Sequence, residues 1–289
     1  MTPKFLILDG YNQKSRHQFR DVGMELAWEL YRDMLLACLP EAGFDVILPS
    51  DPGVELPTGK NLASYTGVLW TGCNLTVYHD HNPVVCNMIQ LAEEAYETGI
   101  PSFGSCWGLQ IAAVAAGGKV EAHPRGREMN MGRKIALTDQ GRNHPMYKGK
   151  PIVFDGFESH DDIVTVPPPG GVVLAGNEWA PIQAMAVKHK KGVFWATQYH
   201  TEYTLRAVAR LIVAREEKLT AQKFFSGHQD VLDYVAKMEA LAADPSRKDL
   251  RWQLGMDDDI LDDNRRRIEF ANWLDHVALD QANLTRKSR

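Results

Sequence analysis

The chain opens with a short apolar run, Lys4 to Leu8, and after a polar stretch places apolar residues at Val22, Leu26, Leu30, Met34 and Leu35. The first run reads as a buried strand. The spacing of three to four predicts a helix over Asp21 to Leu39. The alternation then repeats. Phe44 to Leu48 predicts a second strand, closed by the turn signal Pro49-Ser-Asp-Pro-Gly53. Gly67 to Trp70 predicts a third, ending in Thr71-Gly-Cys-Asn74. Pro83 to Thr98 reads as a helix, with Gly99 placed for a left-handed cap. Ile100 to Phe103 reads as a strand, and Leu109 to Ala116 as a helix stopping at Gly117-Gly118. Strands alternating with helices predict a parallel sheet covered on both faces.

From Lys119 to Thr197 the texture changes. Short β-like runs at Val120–Ala122, Lys134–Leu137, Ile152–Phe154, Ile163–Val166, Gly171–Leu174, Ala184–Val187 and Gly192–Ala196 predict further strands, partly antiparallel. Pro167-Pro-Pro-Gly-Gly171 is a hard turn among them. After Glu202 the chain becomes helical and charged, with helical patterns at Leu205–Glu217, Asp230–Ala243 and Arg265–Leu279. The acids of Asp257 to Asp263 precede Arg265-Arg-Arg267, an order that suits a helix dipole and reads as a helix start rather than a metal-binding cluster. Leu284 to Arg289 is expected to fray. The organisation is therefore an α/β domain over residues 1–203 and a helical C-terminal extension over 204–289.

Composition narrows the function. In 289 residues the hydrophobic share is 44% and the charged share 24%, as in an ordinary globular protein, and the net charge of −5 offers nothing to nucleic acid or an anionic membrane. No stretch approaches the ~20 apolar residues of a membrane-spanning helix, and the N-terminal run reaches an acid at Asp9, as a strand does and a signal peptide does not. Cys38, Cys73, Cys86 and Cys106 lack metal-type spacing and are too sparse for a disulfide scaffold. A reducing, cytoplasmic setting follows. Tyr78-His-Asp-His81 reads as a solvated loop, so no metal is expected, and no Gly-rich nucleotide loop calls for a cofactor.

The chemistry lies in two distant segments. Ser102-Phe-Gly-Ser-Cys106-Trp-Gly-Leu-Gln110 holds a cysteine between two glycines at the end of an apolar run. Phe194-Trp-Ala-Thr-Gln-Tyr-His200-Thr-Glu202 is a second apolar strand, ending in a histidine and a glutamate. Cysteine, histidine and carboxylate compose an acyl-transfer site: the thiolate attacks, the imidazole moves protons and the carboxylate fixes the imidazole. A strand-to-helix turn would aim Cys106 into a cleft and set a helix N-terminus beneath its sulfur, lowering the thiol pKa. Gly104 and Gly108 suit such a turn, which is crowded and is also a place where positive φ arises.

The string Phe103 to Gln110 resembles the nucleophile elbow of the class I glutamine amidotransferases. Gln198-Tyr-His200-Thr-Glu202 resembles their His-x-Glu segment, with Thr201 where proline is usual. The resemblance runs from Lys4 to about Tyr203 and is strongest to stand-alone proteins similar to the amidotransferase domain of GMP synthase. It implies a flavodoxin-like, mostly parallel central sheet with helices on both faces. It also implies Cys106 as nucleophile, His200 as general base and acid, Glu202 as orienting carboxylate and Gln110 at the substrate. Ser159-His160-Asp161-Asp162 resembles the family's Ser-His-Gly-Asp stretch, which holds the amino-acid end of glutamine, with Asp161 in place of glycine. The oxyanion donors implied are the amides of Trp107 and Cys73. The loop Thr71-Gly-Cys-Asn74 departs from Ser-Gly-Gly-Pro, and two readings stay open: a preformed hole, or one completed by partner or substrate.

The function expected is a cysteine-dependent amidohydrolase that cleaves the side-chain amide of glutamine, or a related γ-glutamyl amide, through a thioester. A small-molecule substrate is implied. A separate synthetase subunit and a homodimer are the protein partners left open. Three other readings stand beside it: a free-standing γ-glutamyl-amine hydrolase of amine catabolism, a non-catalytic partner-binding relative, and a cysteine peptidase on the same architecture. For the C-terminal helices, a dimer interface, a lid and packing on the sheet are the alternatives.

Overall fold

Nine strands line up in one sheet and two more pair beside it in the computed structural model, which describes residues 2–279. The Leu284–Arg289 segment lies outside the described residues. In chain order the strands are β1 (Lys4–Leu8), β2 (Gly43–Ile47), β3 (Gly67–Trp70), β4 (Ser102–Ser105), β5 (Lys119–Ala122), β6 (Glu128–Leu137), β7 (Val153–His160), β8 (Asp162–Val166), β9 (Gly171–Gly176), β10 (Ala184–His189) and β11 (Gly192–Thr197). The large sheet has the order β2-β1-β3-β4-β11-β10-β9-β6-β7, and β5 pairs with β8. From β2 to β11 neighbours are parallel; beyond β11 they are antiparallel. This is the mixed α/β sheet expected.

Period-two alternation explains the layers. Leu6, Leu8, Val68 and Trp70 face the helices Pro83–Thr98 and Trp107–Ala115, while Phe5, Ile7, Leu69 and Phe103 face the opposite side. There they meet Tyr31, Met34 and Leu35 of the helix Ala27–Cys38, and Phe270 and Trp273 from the far C-terminus. That C-terminal segment packs on the sheet: a β-carbon at Gly67 would lie 2.8 Å from the Trp273 ring. A third apolar cluster joins Phe19 of the helix Gln13–Asp21 to Leu211, Val231, Val235, Met238 and Leu254 of the C-terminal helices. No helix among the described residues is long and apolar enough to cross a membrane.

Several boundaries differ from the sequence pattern, each for a local reason. The helix expected over Asp21–Leu39 is two helices, Gln13–Asp21 and Ala27–Cys38, separated where Gly23 takes φ +73°. The first has one buried apolar side chain, Phe19, too few to show a period. The strand before the cysteine is Ser102–Ser105 rather than Ile100–Phe103, because pairing with β3 and β11 defines it. Lys134–Leu137 and Ile152–Phe154 are parts of a long bulged hairpin, β6–β7, that runs on to His160. The expected helix Arg265–Leu279 is broken: Asp257 caps Asp258–Leu261, Asp262 caps Asp263–Arg266, and Ile268–Trp273 follows. The acid run does start helices, but two short ones.

Candidate active site

Register brings the two segments together. Ser105 of β4 pairs with Thr197 of β11, and the Cys106 amide donates to the Thr197 carbonyl at 2.7 Å. Cys106 and His200 therefore leave the sheet at the same C-terminal edge, where open α/β sheets bind ligands. Cys106 occupies the turn with φ 53° and ψ −102°, and the helix Trp107–Ala115 starts at the next residue. The glycines serve the crowding expected of the turn, not its positive φ. The positive φ falls on the cysteine itself. Gly104 and Gly108 are required by close approach: a β-carbon on either would lie 2.9 Å from backbone, at Gly108 Cα and the Trp70 carbonyl respectively.

His200 is held on three sides. Its Nδ1–H donates to Glu202 Oε1 at 2.6 Å, and its ring stacks flat on Tyr203, with centroids 3.8 Å apart and planes 2° off parallel. The third side is Gly72, where a β-carbon would sit 2.7 Å from His200 Cε1 and 3.4 Å from Cys106 Cβ. His200 Nε2 has no hydrogen-bond partner among the described residues. The Cys106 thiol lies 3.8 Å from the Ser159 carbonyl. A hydroxyl chain stands behind Glu202: Tyr31 and Ser105 are 2.7 Å apart, and the Ser105 hydroxyl donates to Glu202 Oε1 at 3.0 Å. Sequence reasoning missed Gly72, Tyr31, Ser105 and Tyr203. Ser105 and Tyr203 flank the two motifs, so adjacency was the available signal.

The thiol is not pre-ionised. Burial pushes Cys106 up to about 12, Glu158 and Glu202 add to this, and Arg215 and Arg127 oppose it. The expected lowering by the helix N-terminus is outweighed by desolvation, which favours the neutral form of a buried acid. The Trp107 and Cys73 amides have no backbone or side-chain acceptor among the described residues. Cys73 lines the same cavity as Cys106, with Sγ turned toward Gly10.

That cavity, about 230 Å³, also brings together Gln110, His160, Asp161, Asp162, Arg127, Arg215 and Lys218. Gln110 donates to the Asp162 carbonyl at 3.1 Å and so ties the elbow helix to the start of β8. His160, at the end of a buried strand rather than on a loop, bridges the Asp162 carbonyl at 3.1 Å and Glu128 at 3.0 Å. Asp161 pairs with Arg127 and, at 2.8 Å, with Lys218. Burial alone would raise the Asp161 carboxyl, but Lys218 and Arg127 hold it below its ordinary value. Asp161 is not among the positive-φ residues, so its backbone makes no demand for glycine. Asp162 accepts from the Tyr78 hydroxyl at 2.9 Å, and burial raises it.

One group of three donors among the described residues has the spacing to hold a metal ion: Glu128, Glu158 and His160, all buried. They already form a network. Glu128 accepts from His160, from Gln183 at 2.9 Å and from Asn177 at 2.8 Å. Burial, then Glu128, pushes the Glu158 carboxyl well above the usual carboxylate range. The His79 and His81 rings lie on the surface with centroids 5.4 Å apart and planes tilted by 34°.

An α/β sheet with a cysteine elbow facing a buried His–Glu pair defines a class. The family model described as "Glutamine amidotransferase class-I" matches residues 31–217, and the chain belongs to that family. Over 96% of its length the chain is 32% identical to the γ-glutamyl-L-1-hydroxyisopropylamide hydrolase of a Pseudomonas species, covering 94% of that protein. It is 29% identical to the glutamine-hydrolysing GMP synthase of Lactobacillus acidophilus over 69% of this chain, but spans only 33% of that enzyme. In fold it is similar to a glutamine amidotransferase from Thermotoga maritima (TM-score 0.64, 20% identity, 94% of this chain and 99% of the other). A glutamine amidotransferase from Methylobacillus flagellatus is also similar in fold (TM-score 0.61, 20% identity, 98% and 95%).

Proposed function

We propose that the protein is a free-standing, cysteine-dependent hydrolase of γ-glutamyl amides, with Cys106, His200 and Glu202 as its catalytic residues. One observation carries the assignment of roles. Glu202 holds Nδ1 of His200 while Nε2 has no partner among the described residues, and the ring and Cys106 both border Gly72. In the first step the Cys106 proton passes to His200 Nε2 as sulfur bonds to the γ-carbonyl carbon. The resulting oxyanion is received by the Trp107 and Cys73 amides, a contribution of several kcal/mol where both donors are aimed. Collapse breaks the C–N bond, and His200 returns the proton to the departing amine. Water, deprotonated by the same nitrogen, then attacks the thioester; the C–S bond breaks, His200 returns the proton to the Cys106 sulfur, and glutamate is released. Because the thiol starts neutral, proton transfer accompanies attack instead of preceding it.

Alignment with the Pseudomonas hydrolase over nearly both full lengths supports a free-standing enzyme. The chain spans a third of the glutamine-hydrolysing GMP synthase it resembles. The segment 204–289 is proposed as an extension built onto the 1–203 domain, held by Trp273 on Gly67 and by Arg215 at the cavity. A reducing, cytoplasmic compartment is proposed because all four cysteines are free; a homodimer rests on the sequence expectation alone. The deciding assay measures glutamate release from a panel of γ-glutamyl alkylamides and from glutamine, by wild type and Cys106→Ser. Alkylamide cleavage that disappears in the variant is expected. Cleavage of glutamine alone would favour an amidotransferase subunit, and cleavage of neither would end the hydrolase reading.

A further inference from the structure

Arg215 follows the helix Leu205–Ala214 and lines the cavity that holds Cys106. One of its terminal nitrogens donates to Ser159 Oγ at 2.5 Å and the other to the Tyr11 hydroxyl at 2.9 Å. Both partners are neutral; burial pushes Tyr11 up to about 12. No carboxylate among the described residues forms an ion pair with Arg215. The nearest candidate, Asp161, is already shared by Arg127 and Lys218. This wall of the cavity thus presents three cations against one paired acid, and Asp162 is occupied by Tyr78.

A charge half-buried in a folded protein, as Arg215 is, is normally paired. A guanidinium presents a planar fork that suits a carboxylate far better than it suits two hydroxyls. Its place is also fixed relative to the chemistry. Ser159, whose hydroxyl holds Arg215, is the residue whose carbonyl stands 3.8 Å from Cys106 Sγ. In a γ-glutamyl group the attacked carbonyl and the α-carboxylate are four carbon–carbon bonds apart. We propose that Arg215 receives the α-carboxylate of the substrate, so that a side chain from beyond residue 203 completes the γ-glutamyl subsite. The proposal rests on the hydrolase reading and adds to it: free α-carboxylate becomes a requirement, and the leaving amine lies on the side away from Arg215.

The test compares L-γ-glutamyl isopropylamide with 4-aminobutanoyl isopropylamide, which has hydrogen in place of the α-carboxylate. Wild type should favour the first by about 100-fold in kcat/KM, as expected for a charged hydrogen-bonded pair. In Arg215→Met this ratio should fall toward one, through KM, and Arg215→Lys should give an intermediate ratio. Calorimetric titration of L-glutamate into the Cys106→Ser protein, with and without Arg215→Met, reads the same contact without turnover. Binding should disappear with the guanidinium. Equal loss on both amides, or unchanged glutamate binding, overturns the proposal. If wild type cleaves neither amide, the hydrolase reading fails while the titration still decides for or against Arg215.

Discussion

Gly72→Ala places a single methyl group where the site has no room for it. The added carbon would lie 2.7 Å from His200 Cε1, 3.4 Å from Cys106 Cβ and 3.6 Å from His200 Nδ1. The imidazole cannot swing away freely, because it is stacked at 3.8 Å on Tyr203 and tied at 2.6 Å to Glu202. Restoring ordinary contact requires a shift of about 0.7 Å in the ring or the loop, and a misplacement of about 1 Å in a reacting group costs on the order of 10²-fold in rate. Overpacking should cost about 1–3 kcal/mol in stability as well. The expected result is a folded protein whose kcat on a γ-glutamyl alkylamide is about 100-fold lower, with KM little changed because Gly72 lies between Cys106 and His200, the proposed nucleophile and base. Steady-state kinetics and urea denaturation of both proteins supply the readouts. A native-like variant within threefold of wild-type kcat would show that the His200–Cys106 geometry does not govern the reaction.

Three further outcomes follow from the same contacts. With burial holding the Cys106 thiol near 12, alkylation of Cys106 by iodoacetamide should rise about tenfold per pH unit from pH 7 to 9; a plateau near neutrality would reveal a preformed thiolate and contradict the mechanism. Glu202→Gln keeps the shape but removes the charge that fixes His200 Nδ1–H, so kcat should fall on the order of 10³- to 10⁴-fold with KM held. Near-wild-type turnover in that variant would remove Glu202 from the site. Burial pushes Asp9 up to about 6, against the backbone donors Tyr11 and Trp28. The folded state then binds the proton more tightly than the unfolded one, so stability falls as pH rises from about 4 to 6, by ~3 kcal/mol for this group. Asp9→Asn should lack that decline in urea titrations across the window, and parallel wild-type and variant curves would sink the argument.

The parts of the site that were legible are those with a local requirement. The elbow needs small residues two positions either side of Cys106, and the His–Glu pair needs one residue between its members, so both show in short windows. The parallel half of the sheet was legible for the same reason, since each buried strand is a short apolar run. What escaped depends on register and on long-range closure. Gly72 is required by a histidine 128 positions away, and Arg215 is drawn to the cavity by a serine and a tyrosine from other layers. No period or spacing encodes such a meeting. The thiol's protonation is of this kind too: a turn alone predicts a lowered pKa, but enclosure of the turn by β7, Glu158 and the C-terminal helices reverses the sign. Enclosure also leaves His200 Nε2 buried with no hydrogen-bond partner among the described residues, so the proposed mechanism has an acceptor for the proton that the thiol keeps.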